Sequence, residues 1–180
     1  MIDEWALARP TTTLRSGRRI TIRPLAEGDR AALLAFGEAL PHDDWCYLED
    51  DLRNPDIIAR LVNAHAAENW RQFVAAADGA IAGYSAVRRL PGRSNHVADL
   101  RLIVSAGWRR EGLGTALAQT LFSAARDLGV AKVIAELLET QVAGRALLER
   151  LGFRIEGTLS AHAHDRYGRR HNLLILAYHL

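Results

Sequence analysis

The sequence predicts a single domain of the α/β or mixed α+β class, in which helices flank a mixed central sheet of about seven strands. Three observations lead to this prediction. The chain has 180 residues, which is the size of one domain. Segments with the alternation of strands are interleaved with segments that have the periodicity of helices. A strand–helix–strand unit lies in the middle of the chain, and such units join neighbouring parallel strands.

The predicted elements follow the order β-α-α-β-β-β-α-β-α-β-β. Strands are predicted over residues 18–23, 72–77, 80–88, 96–104, 132–138, 153–161 and 171–178, and helices over residues 31–40, 55–66, 112–128 and 142–151. Local signals support several boundaries. Asn54-Pro55 is a helix start, Asp78-Gly79 favours a tight hairpin turn, and Gly129 follows a helix end. Residues 1–17 are predicted to be an extended lead-in, and residues 18–180 the single domain.

Composition excludes several classes of protein. The chain has 23 Lys+Arg and 21 Asp+Glu, a formal charge of +2, and 49% apolar residues, as soluble globular proteins do. This charge gives no strong reason to bind nucleic acid or membrane. The single cysteine, Cys46, excludes an intrachain disulfide and a multi-cysteine zinc site. Because no apolar run reaches membrane-spanning length and Met1–Trp5 lacks the pattern of a secretory signal, we expect a cytoplasmic protein.

The segment from Val104 to Leu117 carries the chemical signal. A strand runs into a loop that contains Arg109, Arg110, Gly112 and Gly114, and the loop runs into an amphipathic helix. The first N–H groups of a helix have no intrahelical partners, and the helix dipole there favours an anion. The glycines leave room for a phosphate, and the arginines add positive charge. The segment therefore predicts a phosphate site.

Two common phosphate motifs do not match this segment. The dinucleotide fingerprint needs a third glycine where this chain has Leu117, and a P-loop needs a lysine that is absent here. Instead, the pattern Arg109-x-x-Gly112-x-Gly114 resembles the acyl-CoA pyrophosphate motif of the GNAT superfamily, the GCN5-related N-acetyltransferases. The resemblance runs from about Arg18 to Leu180 and includes a second signature that ends in Leu151-Gly152-Phe153.

The resemblance implies that the chain binds acetyl-CoA as a co-substrate. The strand before the loop would contact pantetheine through its main chain, the loop would bind the pyrophosphate, and the later helix would flank the pantetheine arm. The implied cofactor-binding residues are Leu102, Ile103, Val104, Arg109, Arg110, Glu111, Gly112, Leu113, Gly114, Thr115, Gln141 and Leu148.

The resemblance also points to a general base and exposes a departure from the family. Asp99 lies on the strand before the loop, where family members often carry a carboxylate. It is our candidate base, and the alternative is that it faces solvent or pairs with Arg101. The family commonly has a tyrosine acid four residues before the glycine of Gly152-Phe153, and here that position is Leu148. Since leucine cannot donate a proton, we assign no acid.

An acidic segment falls where the family covers its acceptor. Residues 43–51 contain five carboxylates together with Trp45 and Tyr47. We predict that Asp43, Asp44, Trp45 and Tyr47 receive a cationic amine, and the alternative is a solvated acidic loop. We expect no metal, although His162, His164, His171 and Asp165 lie near one hairpin.

The sequence thus predicts an acyl-CoA-dependent N-acyltransferase that transfers acetyl from acetyl-CoA to a primary amine in a ternary complex. One alternative is a protein-lysine or amino-acid N-acetyltransferase. Another, of a different class, is an acyl-CoA-binding regulatory module with weak catalysis. The expected partner is a small-molecule or protein amine, with neither nucleic acid nor membrane. A homodimer is compatible with the sequence, which does not determine the oligomeric state.

Overall fold

The computed structural model describes residues 11–44, 48, 50–165 and 167–180, with only the main chain of His65. The strands are β1 (Thr11–Thr13), β2 (Arg19–Pro24), β3 (Trp70–Ala77), β4 (Ala80–Arg89), β5 (Val97–Val104), β6 (Lys132–Leu138), β7 (Arg154–His164) and β8 (Arg170–His179). The helices are α1 (Arg30–Glu38), α2 (Pro55–Asn63), α3 (Leu113–Asp127) and α4 (Val142–Arg150). Within the described ranges, none of the helices has both the length and the apolarity that crossing a membrane requires.

The eight strands of the described residues form one mixed sheet in the order β1-β2-β3-β4-β5-β6-β8-β7. Every neighbouring pair is antiparallel except β5 and β6, which are parallel and are joined through α3. This architecture confirms the predicted fold class. Each predicted strand and helix is present, with ends that differ by up to three residues.

The eighth strand comes from the predicted lead-in. Thr11–Thr13 pairs with β2, with Thr11 opposite Thr21 and Thr13 opposite Arg19. Three consecutive threonines have β propensity but show no alternation of polar and apolar residues, so the pattern does not reveal this strand. Residues 11–13 therefore extend the edge of the sheet, while the domain boundary at residue 18 stays a prediction.

Local sequence signals act where they were expected. The Asn54 side chain accepts a hydrogen bond from the N–H of Asp56 at 2.9 Å and caps α2. Asp78 and Gly79 have positive φ values of 49° and 79°, which make the tight turn between β3 and β4. Gly129 follows α3 with φ of 69°. These positions depend on neighbours within a few residues, which is why the sequence reveals them.

The sheet separates two apolar cores. Helices α1 and α2 cover one face, where Leu33 and Ile58 pack with Tyr84 of β4 and Ile103 of β5. Helix α3 covers the other face, where Leu117 packs with the alternate residues of the same strands. Residues at odd positions of β5 up to Ile103 thus face α1 and α2, and the even positions face α3.

One buried hydroxyl on the α3 side gives a stability prediction. Ser85 is fully buried, and its Oγ has no hydrogen-bond partner within the part of the chain that the structure describes. Because an unpaired buried hydroxyl costs about 1–3 kcal/mol, Ser85→Ala is expected to raise the free energy of unfolding by about 1 kcal/mol. Denaturant titration measures this change.

Tyr84→Phe is the matched control for that experiment. The Tyr84 hydroxyl is buried like that of Ser85, but it donates to Gln72 Oε1 at 2.7 Å. Its removal leaves the Gln72 oxygen unpaired, so we expect a loss of about 1–2 kcal/mol. A Ser85→Ala variant that loses as much stability as Tyr84→Phe would contradict the prediction.

Candidate active site

The parallel strands β5 and β6 separate within the sheet. They pair only from Val97 to Asp99, opposite Lys132 to Ile134. Beyond Asp99, β5 continues along β4 as far as Val104, and β6 continues along β8. The two strands therefore open into a V whose apex is at Asp99. Along the open side of β5, no strand among the described residues pairs with the main chain, whose N–H and C=O groups are available to a ligand.

The loop that follows β5 brings backbone N–H groups to this opening. Arg110 and Gly112 have positive φ values of 63° and 96°, and they turn the chain into α3. The N–H of Ala116 makes the first hydrogen bond of the helix, to Gly112 O at 3.1 Å. The N–H groups of residues 113–115 precede it, so they point out of the helix end and can donate hydrogen bonds to an anion.

The two glycines of the loop serve different purposes. Gly112 has the left-handed conformation, and a Cβ built there would meet nothing within 4 Å, so its surroundings are open. A Cβ on Gly114 would lie 2.9 Å from Leu147 Cδ2, so this glycine allows α3 to approach α4 closely. Gly114 thus has a packing role in addition to the phosphate role that the sequence suggests.

A cleft of about 660 Å³ lies at the mouth of the V, and we call it the cofactor cleft. Among the described residues, its lining carries four arginines, Arg15, Arg109, Arg110 and Arg150, against the carboxylate of Asp44. This surplus of positive charge, together with the helix N–H groups, fits a ligand with several negative charges.

Most of the predicted cofactor-binding residues line this cleft. They are Leu102, Ile103, Val104, Arg109, Arg110, Gly112, Gly114, Thr115 and Gln141. Two others have different surroundings. Glu111 accepts a hydrogen bond from Ser16 at 2.7 Å and forms an ion pair with Arg18, which lowers the pKa of the Glu111 carboxyl. Leu113 is the first residue of α3, and its side chain is buried in the apolar core between α3 and the sheet.

Arg109 is held by two contacts in the cleft. Its Nε donates to Val104 O at 3.0 Å, and its Nη2 forms an ion pair with Asp44. Since a guanidinium has five N–H groups, donors remain for a phosphate. The contact with Asp44 links the cofactor cleft to the segment that precedes α2.

A smaller cavity of about 270 Å³ continues from the cofactor cleft toward the apex of the V, and we call it the inner cavity. The two share five lining residues, Leu48, Leu102, Gln141, Gly144 and Leu147. Gln141 Oε1 accepts a hydrogen bond from Leu138 N at 2.7 Å, which anchors the amide at the end of β6. Leu148, the last of the predicted cofactor-binding residues, lines the inner cavity.

Asp99 lies at the deep end of the inner cavity and is largely buried. Its Oδ2 accepts hydrogen bonds from Arg101 Nε at 3.0 Å and Nη2 at 2.9 Å. Burial raises the pKa of Asp99 to about 6, and the negative charge of Glu136 acts in the same direction, while Arg88 opposes it. A carboxylate with this pKa is a stronger base than an ordinary aspartate.

A third cavity, of about 260 Å³, lies on the α1 and α2 side of the sheet, and we call it the charged cavity. It is lined by Asp50, Arg60, Trp70, Ala86, Arg88, Asp99 and Arg101. Asp99 and Arg101 line both this cavity and the inner cavity. The three spaces therefore form a series that runs from the helix N-terminus past Asp99 to the opposite face of the sheet.

Comparison with known proteins identifies the family. The model of the acetyltransferase (GNAT) family matches residues 34–153, which include the V, the loop and α4. The chain belongs to the GNAT acetyltransferase family. It is 39% identical over 92 residues to "Probable N-acetyltransferase 14" from Danio rerio, a match that covers 51% of this chain and 31% of that protein. The chain thus matches about a third of the length of this curated relative.

Solved structures have the same fold as this GNAT domain. The GNAT domain of S. lividans PAT has a TM-score of 0.82 at 17% identity, covering 100% of this chain and 99% of that one. Another, yncA from Salmonella typhimurium, was solved with its cofactor acetyl-CoA; it has a TM-score of 0.76 at 19% identity, covering 91% of this chain and 95% of that one.

The position at which the GNAT family commonly has its tyrosine acid is occupied here by an apolar residue, Leu148. Leu148 is buried in the core beneath α3. The described tyrosines have other places: Tyr84 donates to Gln72, Tyr178 stacks on Phe122 with ring centroids 5.2 Å apart, and Tyr167 is exposed in a turn. Tyr47 lies outside the described residues. None of the three described tyrosines lines the inner cavity.

Leu148→Ala is expected to act through packing. Because it empties a buried position, we expect a loss of about 2–5 kcal/mol in the free energy of unfolding. The variant is expected to bind acetyl-CoA more weakly than the wild type. In both the wild type and the variant, the pH profile of kcat is expected to lack a basic limb. Chemical denaturation and steady-state kinetics measure these effects. A tyrosine variant elsewhere that loses over a hundredfold in kcat with intact binding would contradict this prediction.

The acidic segment is less available than the sequence suggests. Asp44 is buried and paired with Arg109, Asp51 pairs with Arg53 at 2.8 Å, and Asp50 pairs with Arg60. Asp43 is exposed, and Trp45, Tyr47 and Glu49 lie outside the described residues. Binding of a cationic amine by Asp43, Asp44, Trp45 and Tyr47 stays a prediction, and the pairing neutralises much of the charge on which it depends.

Sequence reasoning did not identify the other walls of the charged cavity. Arg60, Trp70 and Arg88 are on different elements, and only the strand register and helix packing bring them to Asp99. The sequence does identify Arg101 as a neighbour of Asp99, because residues two apart on a strand face the same side. The cluster of His162, His164 and His171 gathers no group of three metal-ligating side chains within the described ranges.

Proposed function

We propose that this GNAT domain transfers an acetyl group from acetyl-CoA directly to a primary amine, in a ternary complex, in the cytoplasm. The observation that supports this function is the position of Asp99. It lines both the inner cavity, which continues into the cofactor cleft, and the charged cavity on the other side. A base at this junction can serve an acceptor that enters from one side while the cofactor occupies the other.

The residues present fit acetyl-CoA. The N–H groups of residues 113–115, with Arg109 and Arg110, would hold the pyrophosphate, and the main chain of residues 102–104 would pair with the pantetheine amides. Gln141 and Leu147 line the path to Asp99. When bound, acetyl-CoA supplies an acetyl group activated as a thioester.

Asp99 is the proton acceptor in this proposal. An alkyl ammonium has a pKa of about 10.4, so its deprotonation at pH 7 costs about 4.6 kcal/mol. Burial has raised the pKa of Asp99 to about 6, which reduces the difference between the pKa of the base and that of the amine. Arg101 donates to one carboxylate oxygen and fixes its orientation. With leucine at position 148, this chain offers no tyrosine acid there, and we propose that water supplies the proton to the thiolate.

The test is transfer by the purified full chain with acetyl-CoA and a panel of amines. The panel contains a polyamine, an aminoglycoside, a lysine peptide and free amino acids, and release of CoA is followed as free thiol. We expect thiol release that depends on one class of amine and forms the N-acetyl product, identified by mass spectrometry. This panel also separates a small-molecule acceptor from a protein lysine.

The second candidate is an acyl-CoA-binding regulatory module, which is favoured by the leucine at position 148. It predicts tight acetyl-CoA binding by calorimetry and only slow CoA release that no amine accelerates. That pair of results would contradict the transferase proposal and support the module.

A further inference from the structure

Among the described residues, the lining of the charged cavity carries more positive than negative charge. Its lining carries the guanidinium groups of Arg60, Arg88 and Arg101 and the carboxylates of Asp50 and Asp99. Asp50 pairs with Arg60 and lies 3.7 Å from Arg101 Nη1, while Asp99 pairs with Arg101. Arg60 and Arg101 thus form ion pairs with the two carboxylates, and Arg101 donates to Oδ2 of Asp99.

Arg88 is the third arginine. Its charge acts on Asp99 and lowers the pKa of that carboxyl, but the ion pairs of the described residues in this cavity involve Arg60 and Arg101. The Arg88 guanidinium lies over the ring of Trp70, 5.4 Å from the ring centroid. A cation held against an aromatic face is positioned but keeps its in-plane N–H groups for another partner. These donors line the cavity and suit a planar carboxylate, which accepts two parallel hydrogen bonds.

The strand register places this cation beside the candidate base. Arg88 lies directly opposite Asp99 in the antiparallel pair of β4 and β5. Side chains at such positions project from the same face of the sheet with Cβ atoms about 5 Å apart. A ligand that contacts both therefore needs a cationic or amine group and an anionic group separated by only a few bonds.

We infer that the acceptor is a small amine that carries its own carboxylate, as an amino acid does, with the amine at Asp99 and the carboxylate at Arg88. This inference rests on the proposed transfer function and narrows its acceptor. A polyamine lacks the anionic group, and a lysine side chain within a protein has no carboxylate near its amine. The cavity volume of about 260 Å³ suits a molecule of amino-acid size.

The experiment compares acceptors that differ only in the anionic group. Each of the amino acids in a panel is assayed beside its carboxamide and its decarboxylated amine, with acetyl-CoA and the full chain. For the best acceptor, we expect kcat/KM to be at least about tenfold higher for the acid than for its carboxamide. Arg88→Gln is expected to remove this preference by raising KM for the acid, and Arg88→Lys to retain part of it.

Two controls isolate the role of Arg88. Arg93→Gln removes an exposed arginine in the turn between β4 and β5, and it is expected to keep the acid preference. The Kd for acetyl-CoA is expected to be the same in all of these proteins. Equal or better transfer to the carboxamide or the amine, or an Arg88→Gln variant with unchanged preference, would overturn the inference.

A binding measurement separates failure of this inference from failure of the proposed function. Calorimetry in the presence of CoA records whether the wild-type chain binds the amino acid more tightly than its carboxamide. Binding that depends on Arg88 without any transfer would support the ligand class and contradict the transferase. Transfer to other amines, with no binding of amino acids, would support the transferase and overturn the inference; loss of both would overturn both.

Discussion

Gly112→Glu is expected to abolish acetyl-CoA binding, with a loss of more than about a hundredfold in affinity. Gly112 lines the cofactor cleft at the start of α3, and its surroundings are open on the side where a Cβ would extend. A glutamate there would add a negative charge where we propose that the helix end and the arginines bind the pyrophosphate. Isothermal calorimetry with acetyl-CoA measures the effect.

Gly112→Gln is the matched control. It has the same size as glutamate and the same strain at φ of 96°, which costs about 1–2 kcal/mol for a residue with a Cβ. We expect the Gln variant to keep measurable affinity, so the difference between the two variants reports the charge. Gly114→Glu is expected to abolish binding as well, but its contact with Leu147 adds a packing effect. Equal affinity in the Glu and Gln variants would refute the cofactor site.

Asp99→Asn is expected to lower kcat/KM for the acceptor by about 10²–10⁴-fold, the usual contribution of a general base. Asparagine keeps the shape of the side chain and cannot accept the proton. The Kd for acetyl-CoA is expected to stay the same, because Asp99 does not line the cofactor cleft. Initial rates at saturating acetyl-CoA, with calorimetry as the binding control, measure the two effects. A variant with wild-type turnover would exclude Asp99 as the base.

The pH profile gives the same assignment a second readout. Since the pKa of Asp99 is raised to about 6, its carboxyl becomes protonated as the pH falls through that value, and kcat/KM is expected to fall with it. Asp99→Asn is expected to lack this transition. Glu136→Gln removes a negative charge that favours the protonated form of Asp99. The transition in this variant is therefore expected at a lower pH than in the wild type.

Features that depend on neighbouring residues were predictable from the sequence. The cap at Asn54, the turn at Asp78-Gly79 and the helix end at Gly129 each follow from backbone chemistry within a few positions. The same is true of the helix start that predicts an anion site, since N–H groups at a helix end have no local partners whatever the fold.

Only the tertiary structure decided which residues meet around Asp99. A strand alternates its faces, so the sequence leaves open whether Asp99 points to the core or to solvent, and the register opposite Arg88 depends on pairing with β4. The ion pair of Asp44 with Arg109 joins residues 65 apart, and it removes a carboxylate that the composition counts as free. Local chemistry thus determined the elements and the loop before α3, whereas long-range packing determined which charged side chains surround Asp99.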